Sequence, residues 1–257
     1  FPYTTLFRSW RHEREIFPLL KKRRLFSGVE HFVLYDFRTP EGHVNEDVFA
    51  YSNRFGDERT LVVYNNRFSE ATGTISRSVG MNVDQGGRRH IVHRSLGEGL
   101  DLKNEDIVYY ILHDERGGLE YLRSSPVLWR DGLMVHLGAF KCHVFTSFRE
   151  IHDHDGRCAE LEQRLMGMGV PDMMTALREL SVEKVFRPFS EMVSMDALRM
   201  LVTEGVRVGT VPAVFSERMT AFLKNAREFA GWSAREKVVG DETCLLLDAL
   251  FTVDRLR

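Results

Sequence analysis

The chain changes its pattern at about residue 150, and no other feature constrains its fold as tightly. Of the 28 aromatic residues, 21 lie in residues 1–150 and 7 after them, whereas 8 of the 10 Met lie in the second stretch. Aromatic and β-branched side chains suit pleated surfaces, and Met, Leu and Ala suit helices. The first part therefore reads as β and the second as α. With 257 residues there is room for two ordinary domains, each with its own core.

From His31 onward, short strands alternate with turn chemistry. HFVLYDF is followed by TPEGH; Val48 to Asn53 and Leu61 to Asn66 flank a tip at Gly56 to Glu58, where Gly56 supplies the positive φ of a hairpin. Thr74 to Val79 and His90 to Arg94 are further strands around DQGGRR. IVYYILH and LEYLR flank DERGG, with Gly117 and Gly118 at the tip. SSPVLWRDG reads as one helical turn capped by Ser125 with Pro126 first, and LMVHL and FKCHVFTSF close the series. About eight strands at this spacing predict an antiparallel β-sandwich over residues 30–150.

After Asp155 the period becomes helical. Cys158, Leu161 and Leu165 share one face, and further helices fit Met173 to Leu180, Val182 to Met192 broken near Pro188, and Met195 to Val202. In Ala213 to Ala230 the residues Phe215, Met219, Phe222, Ala226 and Phe229 form a stripe expected to be core. A last helix fits Glu242 to Phe251. The fold class is thus α+β, a β-sandwich followed by an all-α region over 151–257. A basic helix, HEREIFPLLKKRRLFSG, precedes the strands, with Pro18 in its first turn, cations toward its end and a packed apolar side at Leu19, Leu20, Leu25 and Phe26.

Little in the residues points to chemistry. Residues 1–150 carry 21 basic and 20 acidic groups and residues 151–257 carry 14 and 17, so no field draws nucleic acid. No apolar run approaches the ~20 residues of a membrane span. Cys142, Cys158 and Cys244 are too few for a disulfide framework and fit a reducing, cytoplasmic compartment. GEGLDL lacks the third glycine of a phosphate loop, and no G-x-S-x-G elbow occurs, so no cofactor is expected. HDHD at His152 to Asp155, with Cys142 and His143 nearby, offers metal-ligand types but no closed four-ligand spacing; Asp153 or Asp155 reads as a helix N-cap instead. Asp114 and Glu120 pose as an acid/base pair, but Asp114 sits where a hairpin turn uses Asp. Trp129, beside Arg130 and Asp131, is the candidate sugar-stacking residue, weighed against an anchoring role in its turn.

The order of PLLKKRRLFSG, HFVLYDF and NEDVFAYSNRFGDERTLVVYNNRFSEATG resembles the C-terminal end of the α-amylase superfamily, glycoside hydrolase family 13. There the last barrel helix leads into a β-sandwich called domain C, and FKCHVFTSFRE resembles its closing strand. The resemblance covers residues 12–150. It implies that residues 10–29 are the last helix of a catalytic barrel that is missing upstream, and that the chain is a non-catalytic supporting module of an enzyme acting on α-glucans. The family's catalytic Asp, Glu and second Asp have no counterpart here; GVRVG at Gly205 lacks the nucleophilic Asp, so no catalytic residue is carried over. The opening FPYTTLFRS has no signal-peptide character and resembles translated sequencing-adapter sequence, so residues 1–9 are expected to be artefactual. The alternative is a carbohydrate-binding sandwich whose helical extension engages protein.

Overall fold

A computed structural model of the chain describes residues 9, 10, 12–231 and 236–255. Apart from Ser9, the opening segment expected to be artefactual lies outside the described residues. The chain divides into two compact units, Phe1–Met174 and Thr175–Arg257. The fold class is α+β.

The first unit begins with a short π-helical turn, His12–Ile16, then helices α1 (Phe17–Lys21) and α2 (Arg23–Ser27). Pro18 stands in the first turn of α1, where a missing N–H costs nothing. Ten strands follow: β1 (Val33–Arg38), β2 (Val48–Phe55), β3 (Glu58–Asn65), β4 (Ala71–Ser78), β5 (Met81–Gln85), β6 (Arg88–Val92), β7 (Val108–Asp114), β8 (Leu119–Ser124), β9 (Leu133–Leu137) and β10 (Cys142–His152). The β2–β3 and β7–β8 hairpins turn where the glycines predict, with Gly56 at φ 59° and Gly118 at φ 66°.

Eight strands form one continuous antiparallel sheet in the order β8-β7-β10-β3-β2-β1-β4-β9, and β5 and β6 pair separately. Two separate packed sheets are not what the hydrogen bonds describe. The physical reason lies in β10, whose Cys142 to Phe145 pair with β3 while Phe145 to His152 pair with β7. The register shifts between Thr146 and Arg149, and Ser147 takes φ 51°, a bulge that bends the strand. The sheet consequently curls around one core. Val108 and Leu112 from one side of the sheet and Leu133 and Val135 from the other belong to the same buried cluster.

Period-2 alternation assigns the faces. The row Val33–Ser52–Leu61–Phe145 points inward, and the neighbouring row Leu34–Tyr51–Val62–Val144 points outward. Helix α3 (Leu96–Leu100) plugs the inner face with fully buried Leu96 and Leu100. Its start is a capping box: Ser95 Oγ accepts from the Glu98 N–H at 3.1 Å and the Glu98 carboxylate accepts from the Ser95 N–H at 2.6 Å. GEGLDL is therefore a packing element, with Gly97 against the Trp129 ring and Gly99 against the Tyr35 hydroxyl.

Helix α4 (Ser125–Arg130) forms where Pro126 predicts, but Ser124 rather than Ser125 precedes it, because the Ser125 hydroxyl is drawn to the Lys103 carbonyl. Helix α5 (Arg157–Leu165) buries Cys158 and Leu161 as expected. Its first turn is satisfied by both candidate caps, Asp153 accepting from the Ala159 N–H and Asp155 from the Arg157 N–H. Glu162 of α5 accepts from the Ser124 N–H at 2.9 Å, and Val170 exchanges two backbone hydrogen bonds with Glu120, covering the β8 edge.

From Thr175 on, the described structure is helical. Helix α6 (Met173–Met192) runs unbroken, where the sequence predicts separate helices Met173 to Leu180 and Val182 to Met192, the latter broken near Pro188. Proline removes the hydrogen bond to the Lys184 carbonyl, and the Asn225 amide supplies it instead at 2.8 Å. Helices α7 (Met195–Val208) and α9 (Glu236–Arg255) outrun the predicted segments, while α8 (Ala213–Ala230) matches its prediction. Phe215 and Met219 of the α8 stripe are buried with Leu201 and Phe251; Phe222 packs at a tilt against Phe189, and Phe229 is exposed. Among the described residues no helix is long and apolar enough to cross a membrane.

Candidate functional site

The basic helix is fastened to the outer face of the sheet. Leu25 is buried, and the Lys22 ammonium reaches the Glu115 carboxylate and the Thr146 hydroxyl, the latter at 3.2 Å. Thr146 donates onward to Glu115 at 2.6 Å. Burial alone raises the Glu115 pKa, but Lys22 and Thr146 outweigh it and hold the carboxyl below its ordinary value. The Asn53 amide adds a hydrogen bond to the Gly28 carbonyl at 2.5 Å, fixing the helix exit on β2.

This anchoring leaves an open apolar groove of about 730 Å3 between helix and sheet, lined by Leu19, Leu20, Arg23, Phe26, Tyr51, Val62 and Val144. The apolar surface extends beyond it. Phe17 and Leu20 on the helix, Phe32 with its ring tilted against Tyr51 at 5.4 Å, Leu34 on β1 and Phe49 on β2 are all exposed. On an ordinary monomer surface such residues occur singly; here they run across a helix and two strands. Lys22 serves the anchor and also lines, with Lys21, Arg23 and Arg24, a second groove beside Phe55 and Glu58.

The titratable residues that sequence reasoning raised are occupied structurally. Asp114 is 1% exposed at its side chain and accepts from His143 Nδ1 at 2.8 Å, the Gly117 N–H at 3.0 Å, the Val144 N–H at 3.1 Å and the Arg116 N–H at 3.2 Å. It knits the β7–β8 turn to β10, as its turn position predicts. Burial raises its pKa, yet the bonds from His143 and Val144 bring it below the ordinary carboxylate value. Burial lowers the His143 pKa, and Asp114 reverses that and raises it. His143 Nε2 lies 3.3 Å from the His136 carbonyl, so the imidazole bridges two acceptors.

Glu120 does not join this pair. One of its oxygens meets Arg149 at 2.5 Å and the other accepts from the Met173 N–H at 2.8 Å. Around HDHD, His152 and His154 stack at 6.1 Å, and among the described residues no group of three or more His, Cys, Asp or Glu is placed to hold a metal. The Cys158 thiol is pushed up to about 11 by burial and by Asp153 and Asp155, so it stays protonated at neutral pH. Trp129 is half-buried: its ring lies against Gly97 and its indole N–H points to the Lys103 carbonyl at 3.2 Å.

Two groupings were not read from the sequence, the Lys22–Glu115–Thr146 anchor and the Asp114–His143 pair. Their members lie far apart in the chain, and only strand pairing brings them together. The outward row was legible in part, since the alternation of β10 separates its two faces. No protein-family model matches the chain, and no curated protein matches it at a significant level.

Proposed function

We propose that this chain is the non-catalytic supporting part of an α-amylase-type enzyme acting on α-glucans. Its partner is then a catalytic barrel of the same polypeptide, packed on the N-terminal helices and the outer face of β1 and β2. The observation that carries the reading is the exposed apolar surface from Phe17 and Leu20 to Leu34 and Phe49, continuous with a helix that is itself tied to the sheet. A parallel barrel is wrapped in amphipathic helices whose outer sides need cover, and a rigid sheet fixed to one of them holds the frame of an active site steady. The occupied state of Asp114, Glu120 and His143 agrees with a supporting rather than a catalytic role. Three free cysteines fit a reducing, cytoplasmic compartment.

Sequencing the genomic locus upstream of the Trp10 codon tests this. The expected result is an in-frame segment encoding a parallel barrel with the family's three carboxylates. An in-frame stop codon, or an unrelated domain in that place, overturns it.

A further inference from the structure

Four successive cations, Lys21 to Arg24, line one groove of about 600 Å3, together with Phe55 and Glu58, which pair across the end of the β2–β3 hairpin. Successive residues of a straight α-helix point about 100° apart, so a run of four is spread around its circumference. Here the helix breaks inside the run. Lys22 stands between α1 and α2 at φ −86° and ψ 29°, and residues on both sides of the break reach the same groove. The frame beneath them is fixed: Leu25 is 2% exposed, Lys22 is tied to Glu115 and Thr146, and the Asn53 amide holds the Gly28 carbonyl at 2.5 Å.

The charges of this groove are not balanced. Lys22 is neutralised by Glu115, but among the described residues the side chains of Lys21, Arg23 and Arg24 make no ion pair or hydrogen bond. The arginines of the adjoining hairpin, by contrast, are used: Arg54 meets Asp101 at 2.5 Å, and Arg59 donates to the Leu100 carbonyl at 2.7 Å. Glu58 alone among the described lining residues offers the groove a free carboxylate. Three cations against one carboxylate leave the groove positive, in a chain whose overall balance is 35 Lys and Arg against 37 Asp and Glu. Like charges held this close repel one another, and a bound anion relieves them.

We propose that this groove is an anion site that takes a polyphosphate group, either free or as the tail of a nucleotide. Guanidinium forks match phosphate oxygens two at a time, and a lysine ammonium adds a point charge. The volume falls within the roughly 300–1,000 Å3 of small-ligand sites. A nucleic acid fits worse, because it needs cations along an extended path and the chain carries no such field. Phe55 is 52% exposed beside the cations; its ring can stack on a nucleobase and gives a free polyphosphate nothing, so it separates the two sources. Four residues past Tyr51 on β2, the site lies beyond the apolar groove, with which it shares Arg23, and it does not rest on the α-amylase reading.

Isothermal titration calorimetry of the full chain with sodium tripolyphosphate and with ATP tests the site, with sulfate at matched ionic strength as competitor. The expected result is saturable binding of tripolyphosphate, weakened about tenfold in Arg23→Gln and in Arg24→Gln, as loss of a charge-assisted hydrogen bond requires. Arg199→Gln, the same charge change on α7 of the second unit, should leave the affinity unchanged. Circular dichroism checks the fold of each variant. ATP binding tighter than tripolyphosphate, with the difference abolished in Phe55→Ser, assigns the nucleotide; any other relation between the two assigns the free polyphosphate. Absence of saturable binding, equal competition by sulfate, an equal loss in Arg199→Gln, or full affinity in the folded double variant of Arg23 and Arg24 overturns the proposal.

Discussion

At the scale of single residues, His143 and Asp114 make stability depend on pH in a definite direction. Asp114 has a folded pKa below its ordinary 3.8, so its contribution is present above that value and is lost as pH falls through the folded one. His143 has a folded pKa above its ordinary 6.5, so its contribution is complete below 6.5 and is lost as pH rises through the folded value. The pair therefore stabilises most between those two ordinary values. Replacing His143→Gln is expected to cost about 1.5–3 kcal/mol, the range for hydrogen bonds to charged groups. Urea denaturation at about pH 5.5 and about pH 9 checks this; the wild type should lose stability between them more steeply than the variant, and equal slopes would contradict the assignment. The turn role of Asp114 was legible because Asp favours such positions locally. His143 was not, because its partner lies in another strand and only the β7–β10 register selects it.

At the scale of elements, close approach decides more than periodicity. Helix α3 reaches the inner face because Gly99 has no side chain; a Cβ there would lie 1.8 Å from the Tyr35 hydroxyl, which is hydrogen-bonded to Ser52 at 2.7 Å. Gly99→Ala is expected to destabilise the first unit by about 1–3 kcal/mol, the usual cost of overpacking. Adding Tyr35→Phe removes the clashing oxygen, so the double variant should lose less than the sum of the two single changes. Strict additivity in thermal or urea melts would show that the clash is not the cause. Hairpins and the helix Ala213–Ala230 were readable because glycine position and a repeated apolar stripe are local signals. The unbroken α6 was not, since the Asn225 amide that replaces the hydrogen bond lost at Pro188 comes from a different helix.

At the scale of the whole molecule, the α+β character was visible in the uneven use of aromatic residues and methionine. Nine of the ten strands were visible as segments too, whereas β5, Met81–Gln85, was not. One curled sheet in place of two was not, because it depends on β10 pairing with β3 over its first part and with β7 over the rest. The same pairing creates the outward row that, with the N-terminal helices, leaves an exposed apolar face. A chain whose proposed role is to support a catalytic domain does no chemistry on α-glucans by itself. Incubating the purified chain with soluble starch and maltooligosaccharides and measuring new reducing ends tests that most directly. The expected release is no greater than in buffer; release that rises in proportion to protein concentration would overturn the supporting role.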